Sequence, residues 1–232
     1  MFKFFKLRQI TVTCPLCETV FATYEVVRMP SMTRDTPVEA DLHRILPDPE
    51  LRSNLLAMCP NCVYTYWLTS FPPHYFLPQV VPDSPPVEPS KKFAHAVQSA
   101  RKVNNHALDR AVLALNGYWC SKEESLANPD GTQVAGEKFL RLARVELTTA
   151  LSDNDWSGNR SRYNYIMAEI LRLLGEFDQA RVFYQMVDRK CGLPFELVDR
   201  LQRFASEGNK NPIRLPPHIV EALFVPNMAQ TA

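Results

Sequence analysis

No stretch of the 232 residues is apolar over the ~20 positions that a membrane span needs. Net charge is also lacking. The chain has 26 Lys and Arg against 25 Asp and Glu, a balance of +1 at pH 7, so no whole-chain field draws it to nucleic acid or to an anionic membrane. No G-x-S-x-G elbow, P-loop, H-E-x-x-H or Rossmann signature occurs, which leaves an enzyme without a recognisable nucleophile, base or cofactor loop. The segment Met1–Arg8 mixes Lys and Arg with Phe and has neither the apolar core nor the small-residue cleavage site of a secretory signal. It reads as a first β-strand running into Ile10-Thr11-Val12-Thr13. The expected location is the cytoplasm, with no transmembrane segment. What is present is ordinary globular material, 46% apolar and 22% charged, in a length that suits one large domain or two smaller ones.

The chemistry is concentrated in the cysteines. Four of the six form Cys14-Pro15-Leu16-Cys17 and Cys59-Pro60-Asn61-Cys62, with 41 residues between the pairs. In a reducing compartment, paired C-x-x-C units point to metal rather than to disulfides. A tight C-x-x-C loop presents two sulfurs on one side, and two such loops close a tetrahedral shell. Proline after each first Cys stiffens the loop. The ligand set expected is Cys14, Cys17, Cys59 and Cys62, the ion Zn2+, and its role structural, because four thiolates leave no position for water. A redox C-x-x-C would need one such unit at a strand-to-helix junction. His43 and His74 are the alternative ligands, although their spacing does not require it. Cys120 and Cys191 read as buried small hydrophobes. Apolar residues of strand type flank the knuckles, among them Ile10, Val12, Val20, Phe21, Val26, Tyr64, Tyr66 and Trp67, and they give residues 1–70 a zinc-ribbon-like pattern.

Between the knuckles, Arg28 to Met58 carries charges of both signs, expected on a solvated or salt-bridged face. Short helices are expected to begin at Asp41-Leu42-His43-Arg44 and at Pro49-Glu50-Leu51-Arg52. Residues 1–62 contain seven Lys and Arg and seven Asp and Glu, so this part shows no basic excess for phosphate binding. Residues 71–90 hold seven prolines and predict an extended linker, either a spacer or a strap packed on the helical part through Tyr75, Phe76 and Leu77.

Helical periodicity covers 91–207. Ser90 is the expected N-cap of a helix with Phe93, Val97 and Ala100 on one face. Further helices are expected at about 105–120, 134–151 and 195–205, with a polar break at 121–132 around Asn128-Pro129-Asp130-Gly131 and a turn at 152–159. Tyr163, Ile166, Met167, Ile170, Leu171 and Leu174 form the clearest stripe. Gly175 ends that helix, and Ala180, Phe183, Tyr184 and Val187 line the next. This pair resembles a tetratricopeptide repeat, with Met167-Ala168 in the Leu-Gly place, Leu171 in the Tyr place and Ala180-x3-Tyr184 matching A-x3-F. Asn105–Leu151 reads as a degenerate second copy. Arg141, Arg144, Arg160, Arg162, Arg172 and Arg181 read as a solvated face or groove rim. Residues 208–232 form a proline-containing tail with a turn of helix at His218–Leu223.

The knuckles, the insert between them and the stretch Tyr163–Tyr184 together resemble the bacterial proteins of domain-of-unknown-function family 2225 over roughly residues 10–205. The resemblance implies a CPxCG…CPxCG zinc-ribbon-like part followed by a tetratricopeptide-like tail. Glu18 and Val63 stand where that pattern has glycine, the residue that accepts positive φ freely.

The expected fold class is therefore α+β: a small zinc-ribbon-like β module followed by a mainly α-helical, tetratricopeptide-like array. The expected division is 1–70, linker 71–90, helical domain 91–207 and tail 208–232. The expected function is a non-enzymatic zinc-binding adaptor whose helical module binds a protein or peptide. The alternative is a nucleic-acid-associated ribbon protein using a patch of Lys3, Lys6, Arg8, Arg28, Arg34 and Arg44.

Overall fold

A computed structural model describes residues 6–29, 36–75, 81–128, 136–153, 159–188 and 192–224. Lys3, Arg34, Phe76, Leu77, Pro129, Asp130, Gly131, Cys191, the middle of the 152–159 turn and the last eight residues of the tail lie outside the described set. The protein is mixed α and β and divides into two compact units, Met1–Ser31 with Leu46–Ala143, and Met32–Ile45 with Arg144–Ala232. The cuts fall elsewhere than the boundaries expected at 70, 90 and 207. They follow packing rather than chain order, because the first long helices pack on the strands and part of the insert joins the later helices.

In the first unit β1 (Lys6–Thr13) and β2 (Val20–Arg28) form an antiparallel hairpin, with Thr13 opposite Val20. β3 (Leu56–Met58) and β4 (Thr65–Trp67) form a second hairpin, with Met58 opposite Thr65. Each hairpin has a cysteine knuckle as its loop. The proline-rich strap flanks both edges of the first hairpin. Thr13 N–H donates to Pro72 O and His74 N–H to Thr11 O on one side, and Ala22 N–H to Pro82 O and Ser84 N–H to Ala22 O on the other. Edge strands left with open N–H and C=O groups invite foreign pairing, and the strap takes up several of them. Its described residues hydrogen-bond to the strands and Tyr75 is exposed, whereas Phe76 and Leu77, the other expected contacts, lie outside the described residues. Phe21, Phe71 and Tyr64 meet at its base, with Phe21 edge-on to Phe71 at 5.8 Å.

α1 (Pro49–Ser53) forms as expected, capped by the Asp48 carboxylate on Glu50 N–H. The helix expected at Asp41 does not form. Leu42 has φ 65°, and Val38 bridges Arg44 around a tight turn. α2 (Pro89–Lys102) begins two residues earlier than expected. Glu88 is its N-cap, and Ser90 N–H is bound by the Glu124 carboxylate at 3.0 Å. α2 packs on β3, β4 and α1, with Trp67 against Phe93. It ends where Asn104 turns to φ 55°, one of the few non-glycine types that tolerates this region. α3 (Ala107–Ala127), capped by the His106 imidazole on Leu108 N–H, runs seven residues past the expected stop at Cys120.

Two of the polar residues read as a break are buried on this helix. Ser121 and Glu123 are each 2% exposed, and Glu123 is the partner of Arg52 from α1. Arg52 donates from Nε and Nη2 to the two Glu123 oxygens at 3.0 and 2.7 Å, and from Nη1 to Asn116 Oδ1 at 3.1 Å. Its guanidinium lies over Trp119. The insert's charges were expected on a solvated or salt-bridged face; this pair is salt-bridged and buried, because a guanidinium fork can satisfy both carboxylate oxygens at once. α3 packs chiefly on α2. α4 (Gly136–Ser152) starts in the first unit, where Phe139 covers Gly117 so closely that a Cβ there would lie 2.5 Å from its ring. The remainder of α4 belongs to the second unit, so the span expected as a degenerate repeat is shared between the two.

In the second unit α5 (Arg160–Leu173) and α6 (Phe177–Gln185) pair across Gly175, which takes φ 81° as a C-terminal stop. Ala168 and Ala180 are fully buried, as small residues at a close helix contact require. α7 (Phe195–Ser206) packs on α6, and α8 (Pro217–Phe224) follows. Residues 38–40 of the insert pair with 213–215: Ala40 N–H donates to Ile213 O and Leu215 N–H to Val38 O. Arg172, expected on a solvated face or groove rim, is fully buried. It binds both Glu169 oxygens at 2.9 Å and the carbonyls of Asn209 and Asn211 at 2.8 and 2.9 Å. Tyr184 donates to Glu169, and Tyr165 to Ala40 O. Among the described residues no helix is long and apolar enough to cross a membrane.

Candidate metal centre

The two knuckles are built alike, bond for bond. Cys14 N–H donates to Thr19 O at 2.9 Å and Glu18 N–H to Cys14 O at 3.0 Å; Cys59 N–H donates to Tyr64 O at 2.9 Å and Val63 N–H to Cys59 O at 3.1 Å. Both loops close through a residue in left-handed conformation, Glu18 and Val63, each at φ 59°. These are the two positions where the family pattern has glycine. The backbone keeps the glycine geometry and the side chains bear the strain, on the order of 1–2 kcal/mol each and greater for β-branched Val63.

The loops bring together all four expected ligands. Cys14, Cys17, Cys59 and Cys62 place their sulfurs within 4.8 Å of one another, with Cys14–Cys62 and Cys17–Cys59 both at 3.6 Å. An ion bound tetrahedrally at ~2.3 Å from sulfur requires sulfurs ~3.8 Å apart, so the cluster could hold a metal ion with little rearrangement. Cys14 and Cys59 are buried and Cys62 is exposed, so the centre lies at the edge of the first unit. Burial raises the Cys14 and Cys62 thiols, Cys62 to about 12, and hydrogen-bond donors oppose that rise only in part. Backbone N–H groups of Cys17 and Leu16 serve Cys14, that of Thr19 serves Cys17, and that of Tyr64 serves Cys62. Thr19 Oγ1 lies 3.2 Å from the Cys17 sulfur and accepts from Asn61 Nδ2 at 3.2 Å, which ties the second knuckle to the first. The Thr19 hydroxyl, then its N–H, pull the Cys17 thiol down to about 6. Burial pushes Cys14 the other way.

The other sequence candidates lie elsewhere. His74 is within 3.5 Å of Thr13 Oγ1. His43 is in the second unit, where Nδ1 pairs with Glu39 Oε2 at 3.0 Å and its N–H is held by Asp41 at 3.1 Å. Glu39, Asp41 and His43 form a second group of metal-ligand type, and their mutual bonds knit the turn around Leu42. Cys120 is buried, its thiol pushed up by that burial, and it approaches Pro49 O at 3.7 Å. Of the basic residues named for a nucleic-acid patch, Arg8 is ion-paired with Glu25, and Arg44 belongs to the second unit rather than to the knuckle-bearing one. Lysine 92, which sequence reading passed over as one more helix residue, is almost fully buried; only its place beside the proline-rich strap could have singled it out.

Comparison with family models, with curated proteins and with solved structures finds no match for this chain.

Proposed function

We propose that the protein is a non-enzymatic adaptor whose first unit is held by one structural Zn2+ on Cys14, Cys17, Cys59 and Cys62. The observation that carries the metal reading is the sulfur cluster, with four donors within 4.8 Å of one another. An all-thiolate set of this geometry suits zinc among the common ions. It also fills the coordination shell, which suits a structural role rather than activation of a bound water. Placement in the cytoplasm follows the same chemistry, since thiolates persist as ligands where thiols stay reduced.

The adaptor half of the reading rests on the later helices. The α5–α6 pair keeps the small residues of a tetratricopeptide-like unit. α6 also leaves Val182 and Met186, one helical turn apart, about half exposed at 48% and 53%. Apolar side chains in that arrangement suit a protein or peptide partner. The test is crosslinking of the tagged chain in its own host, with and without nuclease, beside a Val182→Glu/Met186→Glu variant. The adaptor reading expects one or a few proteins that survive nuclease and are lost with the variant. Recovery that vanishes with nuclease favours the nucleic-acid alternative. Metal analysis of protein purified without added metal should give about one zinc per chain, and a value far below one removes the site.

A further inference from the structure

Two adjacent lysines at the start of α2 have opposite surroundings. Lys91 is exposed and pairs with Glu88 at 3.0 Å. Lys92 is 8% exposed, and among the described residues its ammonium makes neither hydrogen bond nor ion pair, its backbone N–H being held by Glu88 O at 3.0 Å. It lines a cleft of about 370 Å3 between β2, α1, the strap and α2, with Tyr24, Asn54, Pro85 and Pro86 among the other walls. The polar wall residues are mostly spent inside the fold. Ser84 Oγ donates to Met58 O, and Ser53 Oγ and Asn54 Nδ2 both donate to Glu50 O. Glu50 is the one carboxylate among the walls, and it makes no ion pair with Lys92, so the ammonium has no bound counter-charge among the described residues. A cation buried without one is costly, and its place in the first turns of α2 sets it against the positive end of the helix dipole. An apolar side chain of equal length would fill the space at lower cost, so the charge has a use only toward something the cleft receives.

We propose that the cleft binds a small organic acid, with its carboxylate on the Lys92 ammonium and its apolar body against Tyr24, Pro85 and Pro86. The volume lies at the small end of ligand cavities, ~300–1,000 Å3. One unpaired cation among proline and aromatic walls selects one carboxylate rather than a polyanion. Two sources share this chemistry, a free acid and the carboxylate end of a peptide. The cleft lies within the first unit and does not depend on the adaptor reading.

The probe is sodium phenylacetate, titrated into the metal-loaded full chain and followed by amide and lysine-amine NMR shifts, with 2-phenylethanol as the neutral control. Saturable shifts at Tyr24, Asn54 and Lys92 are expected, with phenylethanol at least about tenfold weaker. Burial alone draws Lys92 down to about 8. The other titratable groups on the walls are Glu50 on α1 and Tyr24 on β2, and neither contributes to that shift. The charged fraction of Lys92 therefore falls from about 0.9 at pH 7 to about 0.1 at pH 9, and affinity should fall about tenfold with it. Lys92→Arg should bind without that fall. Lys92→Met should lose binding and melt at or above the wild-type temperature, which separates loss of the site from loss of the fold. A peptide ending in Phe that binds more tightly than phenylacetate assigns the source to a chain terminus, and one that binds equally or more weakly assigns it to a free acid; both retain the carboxylate site. Equal binding of acid and alcohol, undiminished binding by Lys92→Met, or no saturation by either carboxylate up to about 50 mM overturns the proposal.

Discussion

The two units solve the same problem by different chemistry. The first has two short hairpins and gathers four sulfurs between their loops. The second has no cysteine cluster among its described residues and gathers instead a guanidinium, a carboxylate and two tyrosines in its interior. Arg172 and Glu169 are both fully buried there. A metal centre concentrates stabilisation in four side chains, so its loss is all or none. A buried polar network spreads it over donors and acceptors that must all be satisfied together. The two also treat backbone strain differently. The first unit places Glu18, Val63 and Asn104 at positive φ, whereas the second places Gly175, Gly192 and Gly208 there, with Leu42 the exception.

The sharpest break of this contrast is Cys59→Ser. Structural zinc contributes on the order of 10–16 kcal/mol in small modules, as much as or more than a domain's whole net stability of about 5–15 kcal/mol. The variant should lose the metal and the protected amides of β1–β4, read by metal analysis and hydrogen exchange, while α5–α6 keep theirs. Strong chelation of the wild-type chain should reproduce that asymmetry without any substitution. Acid should do so as well, because the thiolates must hold their metal against protons. Exchange that accelerates equally in α5–α6 would show that the second unit depends on the metal too.

The converse break is Glu169→Gln, which keeps the shape and leaves Arg172 buried without its counter-charge. Removing one partner of such a pair costs about 3–5 kcal/mol, so the second unit's unfolding midpoint in urea should fall steeply while zinc content stays unchanged. The corresponding change in the first unit, Glu123→Gln, should destabilise that unit without releasing metal. The smallest effect has the opposite sign. Val63→Gly relieves a β-branched residue at φ 59° and should stabilise the metal-bound protein by about 1 kcal/mol, less the flexibility added to the unfolded chain. Glu18→Gly should give less, because its side chain is unbranched at Cβ. A loss of stability in both would mean that the side chains contribute contacts worth more than the strain.

The cysteine cluster was legible because cysteine spacing is local: two C-x-x-C turns bring pairs of sulfurs together whatever the rest of the chain does. The helices at 89–102, 136–152, 160–173 and 195–206 were legible for the same reason, since a stripe at three- and four-residue spacing needs only its own neighbours. What sequence reading misplaced was polar. Glu123 made α3 look interrupted, and Arg172 looked solvent-facing, because a charged residue reads as surface until its partner is known. Those partners lie 71 residues away for Glu123, and for Arg172 they include carbonyls 37 and 39 residues on. The strap on the strand edges, the pairing of 38–40 with 213–215 and the solitary charge of Lys92 belong to the same class. Local sequence determined most of the helices and strands, though not the turn at Leu42 or the end of α3, and which sulfurs meet. Tertiary structure alone decided which charges are buried, because burial of an ion depends on groups that only the folded chain brings within hydrogen-bond reach.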